Sequence, residues 1–286
     1  MWCEALGDYY HSVRLDSDRC RGCVNCIKHC PTEAIRIRCG KAQITQERCI
    51  DCGECIRRCP NHAKAAVTDS LQDIQRYKYN IALPAPSLYA QFNADIPIES
   101  ILGALLELGF DEVFEVALAA EFVSLGIKEY LASSDIKRPA ISSACPAVVR
   151  LIQVNFPELI DHLIPIDAPV DVAARVARIE ASRKLQYLPE EVGVWFITPC
   201  PAKMTAARQP LGLKKSNVTG AIGISNIYAD LLKALSVQPI KRSERRASRV
   251  GIGWGVSGGE NVAVEVSNSL VIDEISKVSD VLEQIS

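Results

Sequence analysis

No apolar run in this sequence approaches the roughly 20 residues that a membrane-spanning helix needs. The start, Met1-Trp2-Cys3-Glu4, lacks a basic stretch followed by an apolar one. The expectation is a cytoplasmic protein with no membrane association. Excess charge is also scarce: 32 Lys and Arg face 34 Asp and Glu, a formal net charge of −2, which argues against nucleic acid as a partner. The G-x-G-x-x-G order of a dinucleotide loop is missing even from the glycine-dense stretch Gly251-Ile-Gly-Trp-Gly255-Val-Ser-Gly-Gly259. A tight backbone approach explains those glycines better. Nor does the composition suggest disorder, since 48% hydrophobic and 23% charged residues leave ample core material, and 286 residues predict about two domains.

What the chain has instead is cysteine in a fixed rhythm. Cys20-Arg-Gly-Cys23-Val-Asn-Cys26-Ile-Lys-His-Cys30-Pro31 is answered by Cys49-Ile-Asp-Cys52-Gly-Glu-Cys55-Ile-Arg-Arg-Cys59-Pro60. Two tandem copies of C-x2-C-x2-C-x3-C-P are the bacterial ferredoxin pattern, in which thiolates hold iron–sulfur cubanes. Three cysteines spaced three apart on a tight loop reach three corners of one cube. The fourth follows a helical turn, is carried away by the proline and serves the other cube. The expected ligand sets are Cys20, Cys23, Cys26 and Cys59 for one [4Fe-4S] cluster, and Cys49, Cys52, Cys55 and Cys30 for a second. A zinc ribbon has no use for the Cys-Pro tail, and a disulfide framework belongs in a small secreted chain. Gly22 and Gly53 fall inside the loops, where a missing side chain lets backbone N–H groups approach the sulfides. Residues 18–60 hold nine Lys and Arg against five Asp and Glu, an excess that offsets the charge of about −4 on two oxidised clusters with their thiolates.

The alternation in His11-Ser-Val-Arg-Leu15 predicts a first strand. Each motif predicts a short helix ending at its Cys-Pro, and Ala34–Arg38 with Lys41–Ile44 predicts a hairpin turning at Cys39-Gly40. Together these form a small α+β unit over residues 10–68. Cys3 and Cys39 fall outside the spacing and read as bystanders. His29 and His62, beside cluster cysteines, read as solvated, and His11 and His162 carry no signal. After a polar connector over Leu71–Tyr79 the rhythm changes. Strands are expected at Ile81–Leu83, Glu112–Val116, Ala140–Ser143, Val192–Thr198 and Val218–Ile222. Helices are expected at Ile98–Leu108, Ala119–Ala132, Pro146–Asn155, Val170–Ser182 and Asn226–Leu235. Such alternation means a mostly parallel sheet with helices on its faces, an α/β domain over residues 78–286. The basic stretch Lys241-Arg-Ser-Glu-Arg-Arg246 reads as a surface loop, and Ile275–Ile285 as an amphipathic end.

Cys145 and Cys200 each follow one of these strands and precede a proline. On one reading they face a common crevice at the carboxyl ends of the strands, with the ammonium of Lys203 beside them. On the other they are ordinary buried cysteines. Ser142-Ser-Ala-Cys145-Pro-Ala-Val148 resembles the first signature of the [FeFe]-hydrogenase large-subunit domain, Thr-Ser-Cys-Cys-Pro-x-Trp. Thr198-Pro-Cys200-Pro-Ala-Lys203 resembles the second, Met-Pro-Cys-x-x-Lys. Leu83-Pro-Ala-Pro86, Leu108-Gly-Phe-Asp-Glu-Val-Phe114 and Gly255-Val-Ser-Gly-Gly-Glu260 also resemble segments of that domain, and the ferredoxin module ahead of it fits the same architecture. The resemblance implies that Cys145 and Cys200 ligate a further cubane attached to a diiron centre carrying CO and cyanide. It likewise implies that Lys203 contacts a cyanide.

Three departures limit the likeness. Ala144 replaces a cysteine that relays protons in the family, and an alanine carries no proton. Thr198 replaces a methionine next to the metal. The third signature, Cys-x-x-Gly-Cys, has no counterpart, since no cysteine follows Cys200. A third [4Fe-4S] cluster or a complete H-cluster therefore requires ligands from elsewhere. In the family that signature follows a segment like Val281-Leu-Glu-Gln-Ile-Ser286, so the chain is expected to be either a fragment or a short form lacking the catalytic centre. Three functions follow as expectations: a hydrogenase-related oxidoreductase or hydrogen sensor, an electron-transfer or redox-signalling module with a redox partner protein, and an iron–sulfur assembly factor.

Overall fold

The computed structural model describes residues 9–237 and 243–286, so Cys3, Lys241 and Arg242 lie outside the described residues. The amino-terminal unit carries β1 (Val13–Leu15), α1 (Asn25–Lys28), β2 (Ile35–Arg38), β3 (Lys41–Ile44), α2 (Glu54–Arg57) and β4 (Lys64–Ala66). It is built as two copies of one plan. β1 pairs antiparallel with β4, Val13 opposite Ala66, and β2 pairs with β3, Ile35 opposite Ile44. The β2–β3 turn places Cys39 and Gly40 at φ 49° and 72°, the two left-handed residues that a tight hairpin requires. After each Cys-Pro the chain passes through a left-handed residue, Glu33 or His62. The next N–H then turns back to the fourth cysteine of its motif: Ala34 donates to Cys30 Sγ at 3.2 Å, and Ala63 to Cys59 Sγ at 3.3 Å.

The remainder is the α/β part. Its elements are β5 (Tyr79–Pro84), α3 (Ile98–Glu107), β6 (Glu112–Val113), α4 (Val116–Ala132), α5 (Pro146–Asn155), α6 (Pro169–Leu185), β7 (Val192–Thr198), α7 (Pro201–Arg208), β8 (Gly220–Gly223), α8 (Ile224–Ser236), α9 (Arg249–Gly253), α10 (Gly259–Val264) and α11 (Ile275–Ile285). Four parallel strands form one sheet in the order β6-β5-β7-β8. Every residue of β7 is buried, as expected for a central parallel strand covered on both faces. Alternation divides the core. Ile81, Leu83, Val194 and Phe196 face α4, α6 and α7, and Ala82, Trp195, Ile197 and Ile222 face α3 and α8. Ala173, Ala174, Ala177 and Ala181 line the sheet-facing stripe of α6, and their small side chains let that helix lie close to the strands.

Two expectations need correction. Residues 140–143 do not join the sheet. Bounded by Pro139 and Pro146, they have room for a single bridge, Ile141 to Leu163, while Ser142 and Ser143 spend their hydroxyls on Glu260 and on the Ile166 carbonyl. Cys145 therefore follows an isolated extended segment rather than a sheet strand. The strand expected over Glu112–Val116 is only two residues long, because α4 begins at Val116. The glycine-dense stretch folds into α9 and α10 and shows the close approach expected of it. A Cβ on Gly251 would lie 2.0 Å from the Ala117 carbonyl oxygen, and one on Gly259 would lie 1.8 Å from that of Gly253.

The two parts are joined by buried polar contacts. Ser12 N–H donates to Thr205 Oγ1 at 3.0 Å, Thr205 Oγ1 donates to Ser12 Oγ at 2.9 Å, and Ser12 Oγ donates to the Pro201 carbonyl at 2.8 Å. Beyond β4 the chain runs along β8, where Thr68 Oγ1 accepts the Gly223 N–H and Asp69 accepts the Ala221 N–H, so the outer edge of the sheet is covered. Thr205→Val leaves the buried Ser12 N–H without an acceptor and is expected to cost about 1–3 kcal/mol. Urea unfolding of the iron-loaded protein measures this, and a midpoint equal to wild type would contradict it.

Candidate functional site

The eight regularly spaced cysteines collect in the amino-terminal unit. Cys30 of the first motif lines one cavity together with Cys49, Cys52 and Cys55 of the second. Burial pushes the Cys52 and Cys55 thiols up to about 12, and it raises Cys49 as well. Such thiols become thiolates when a metal takes the place of the proton. Cys20 and Cys26 are buried among Ile35, Ala42 and Ala63, with Cys59 packed against the same core. Here the balance is opposite. Backbone N–H groups of Ala42 and Gly22 hold the Cys20 thiol below its usual range, helped by Lys64 and Lys41. Lys64 is itself buried and also draws the Cys55 thiol down, so one ammonium serves both cysteine loops. Soft sulfur donors with N–H groups aimed at them suit iron–sulfur clusters.

The second cysteine loop is pressed against the α/β part. Gly53 sits at φ 80°, and a Cβ there would come within 3.0 Å of the Pro201 ring. Two constraints thus demand glycine at this position. Ile50 and Cys52 pack with Val149 and Ile152 of α5 and Leu282 of α11. The loop therefore touches the helix that starts after Cys145 and the proline that follows Cys200.

Beyond that contact lies a cavity of about 240 Å³ at the carboxyl ends of β5 and β7, bordered by Pro86, Ala144, Thr198, Cys200, Lys203 and Trp254 among others. Cys145 and Cys200 occupy matching positions. Each is the N-cap of its helix at φ −101°, with a proline at the first helical residue. A helix amino end favours a thiolate, and proline there loses no needed hydrogen bond. Burial pushes the Cys145 thiol up, the Lys203 ammonium pulls it down, and Cys200 pushes it up again, so all three share one electrostatic environment. Ser142 Oγ donates to Glu260 Oε1 at 2.7 Å. Burial raises that carboxyl, while Ser142 and Lys203 act against the rise. Thr198 Oγ1 accepts the Cys200 N–H at 3.3 Å, and Ala144 presents only a methyl. A cubane needs four ligands, and this chain brings two cysteines here, so its residues alone do not fit the complete group.

Several residues escaped the sequence reading. His11, without signal there, is buried with Asp51 at 2.7 Å beside Cys49. Buried Arg150 had no local pattern around it either, and partly buried Glu260 stood out only as the end of the segment Gly255-Val-Ser-Gly-Gly-Glu260, without a role. The solvated reading of His29 and His62 agrees with their exposure, and Cys39 is exposed at its turn.

These features define an iron–sulfur protein of hydrogenase type. Residues 78–281 match the family described as iron only hydrogenase large subunit, C-terminal domain, and residues 12–60 match the 4Fe-4S dicluster domain. The chain belongs to the iron-only hydrogenase large-subunit family, with an iron–sulfur dicluster module ahead of the family domain. It is 32% identical over 222 residues to the periplasmic [Fe] hydrogenase large subunit of Nitratidesulfovibrio vulgaris, covering 71% of this chain and 53% of that one. It is 28% identical over 108 residues to the cytosolic Fe-S cluster assembly factor NAR1 of Botryotinia fuckeliana, covering 36% and 19%. The fold resembles that of the [FeFe]-hydrogenase HydA1 from Chlamydomonas reinhardtii, with a TM-score of 0.52 at 18% identity over 72% of this chain and 59% of that one. The chain thus spans about half the length of its hydrogenase relative, or less in the other case. Among the described residues no helix is long and apolar enough to cross a membrane.

Because the thiolate is the reacting form, a raised pKa slows alkylation at neutral pH, and the deficit closes as pH rises. In iron-free protein at about pH 8, close to the ordinary thiol pKa, exposed Cys39 is expected to label with iodoacetamide well before Cys52 and Cys55. Those two should gain rate up to about pH 12, where the structure places their pKa. Equal labelling at Cys39 and Cys52 near pH 8, read by peptide mass spectrometry, would contradict the burial.

Proposed function

We propose that this chain is an electron-transfer module with two [4Fe-4S] clusters, ligated crosswise, that serves the cavity carrying Cys145, Cys200 and Lys203. Cys20, Cys23, Cys26 and Cys59 hold the first cluster, and Cys49, Cys52, Cys55 and Cys30 the second. When bound, such clusters supply one-electron redox chemistry without moving heavy atoms. The observation that carries the reading is the placement of Cys30 among Cys49, Cys52 and Cys55, with Gly53 of the same loop against Pro201. A redox partner protein exchanges electrons with the exposed first loop, and free thiols fit a reducing, cytoplasmic setting. In this reading the units are a ferredoxin-type domain over residues 10–68 and a hydrogenase-like domain over 78–286.

At the cavity Lys203 supplies positive charge and Cys200 a sulfur donor, with Cys145 next to the lining residue Ala144 as the second. Ser142 and Glu260 hold a proton between them, but Ala144 interrupts any hydrogen-bonded route at its own position. The role that fits these residues is hydrogen-related sensing or signalling, with ligation completed from outside them, rather than fast turnover by this chain alone. A second reading, iron–sulfur assembly, is favoured by the similarity to NAR1 and by the same two-thiol cavity. Transfer of a cluster to an apo-protein, rather than of electrons, would favour it.

Reconstituted with iron and sulfide, the chain is expected to bind about eight irons, and Cys23→Ser and Cys52→Ser are each expected to lose about four. Full iron content in either variant would refute the ligand sets. Hydrogen evolution by the matured chain is expected to be close to background, since proton delivery and ligation are both incomplete. Infrared bands of metal-bound CO and cyanide together with sustained turnover would overturn that.

A further inference from the structure

Two buried nitrogens without a hydrogen-bond partner belong to side chains grouped around Cys49: Nε2 of His11 and Nε of Arg150. His11 and Asp51 place ligand-type atoms within 4.8 Å of the Cys49 sulfur, and Asp51 is already occupied by His11 Nδ1 and the Val13 N–H. Arg150 comes from the other side of the interface, on α5, the helix capped by Cys145. It is 4% exposed. Its Nη2 donates to the Glu47 carbonyl at 3.3 Å, and its guanidinium stands 4.5 Å from the centre of the Tyr9 ring. The Cys49 thiol and the Asp51 carboxyl both feel its charge, yet no ion pair with a carboxylate is formed by Arg150 among the described residues. Arginine stays charged at every accessible pH, and a buried charge is costly unless opposite charge lies near.

We propose that Arg150 sets the reduction potential of the second cluster, the one held by Cys49, Cys52, Cys55 and Cys30, and leaves that of the first unaffected. The inference rests on the ligand assignment made above. Uptake of one electron from an external reductant adds one negative charge to the cluster. No bond is made or broken and no proton moves. A fixed cation across a dry contact favours the reduced form, so Arg150 makes this cluster the easier one to reduce than it would otherwise be. Among the described residues, no cation of the α/β part is seen beside Cys20 of the first loop. Its neighbours are Lys41 and Lys64 of its own module. The same helix thus carries Cys145 as its N-cap at one end and, about a turn and a half later, presents a cation to the cluster.

The test is a redox titration of the reconstituted full chain with dithionite, followed by electron paramagnetic resonance. Cys52→Ser, which removes the second cluster, identifies its signal. Arg150→Gln is expected to disfavour reduction of the second cluster at least tenfold, 59 mV for one electron, with the first cluster and the iron content unchanged. Arg150→Lys, which keeps the charge, is expected to stay within threefold of wild type. An unmoved second cluster in Arg150→Gln, equal movement of both clusters, or a tenfold loss in Arg150→Lys would overturn the proposal. Should Arg150→Gln fail to fold, Arg150→Lys decides alone, since a purely geometric role would shift it and a charge role would not. A wild-type chain showing a single cluster signal and half the iron would instead remove the ligand assignment on which the proposal rests.

Discussion

The drying of the second cysteine loop is the constraint that the rest of the structure serves. Water would stabilise thiolates cheaply, but Cys49, Cys52 and Cys55 are shielded from it, and their raised proton affinities measure the cost of charge in that position. Everything packed around the loop compensates that cost. The chain turns through glycine where Pro201 leaves no room for a side chain, Lys64 is buried within reach of both loops, and Arg150 crosses over from the α/β part. Gly53 and Arg150 answer to the contact with the second domain, and Lys64 to the packing of the two cysteine loops against each other.

The dipeptide Cys-Pro occurs four times, at Cys30, Cys59, Cys145 and Cys200, and does two opposite things. After Cys30 and Cys59 the proline follows a four-residue helix and prevents its continuation, so the cysteine is displaced toward the partner loop. After Cys145 and Cys200 the proline begins a helix, and the cysteine becomes its N-cap, its sulfur held at the positive end. The dipeptide is the same, and its role depends on whether the amphipathic segment lies before it or after it. One chain thereby sets two kinds of sulfur site, crossed pairs in the small unit and helix-end pairs in the large one.

Legibility in the sequence follows the range of the interaction. Ligand spacing within a motif is local, so the eight cysteines were readable as a rhythm. The position of Cys30 beside Cys49, Cys52 and Cys55 is legible in one local fact, the proline. β7 and α5 were readable to the residue because a fully buried strand and a proline-started helix both leave sharp edges in the pattern. Ala140–Ser143 was misread for the same reason in reverse, since a short apolar run between prolines looks alike whether it finds a sheet or a single bridging partner. His11, Asp51 and Arg150 were illegible. They meet across separations of 40 residues in one case and about a hundred in the other, and no period or spacing announces such a meeting.

Neighbouring contacts also link the sulfur sites stepwise from the first loop to the cavity. Arg21 and Val24 of the first loop are exposed, and the Cys20 thiol is stabilised toward its charged form by backbone groups and lysines. Cys55 of the second loop senses Cys26 and Cys30 of the first, and the loop carrying it touches Pro201, next to Cys200. A sulfur site shielded from water holds added negative charge more readily where a cation has been built in beside it. Lys64 stands at the first of these steps, Arg150 at the second and Lys203 at the cavity. Buried or partly buried cations beside sulfur sites are costly to fold around, and negative charge on those sites offsets the cost.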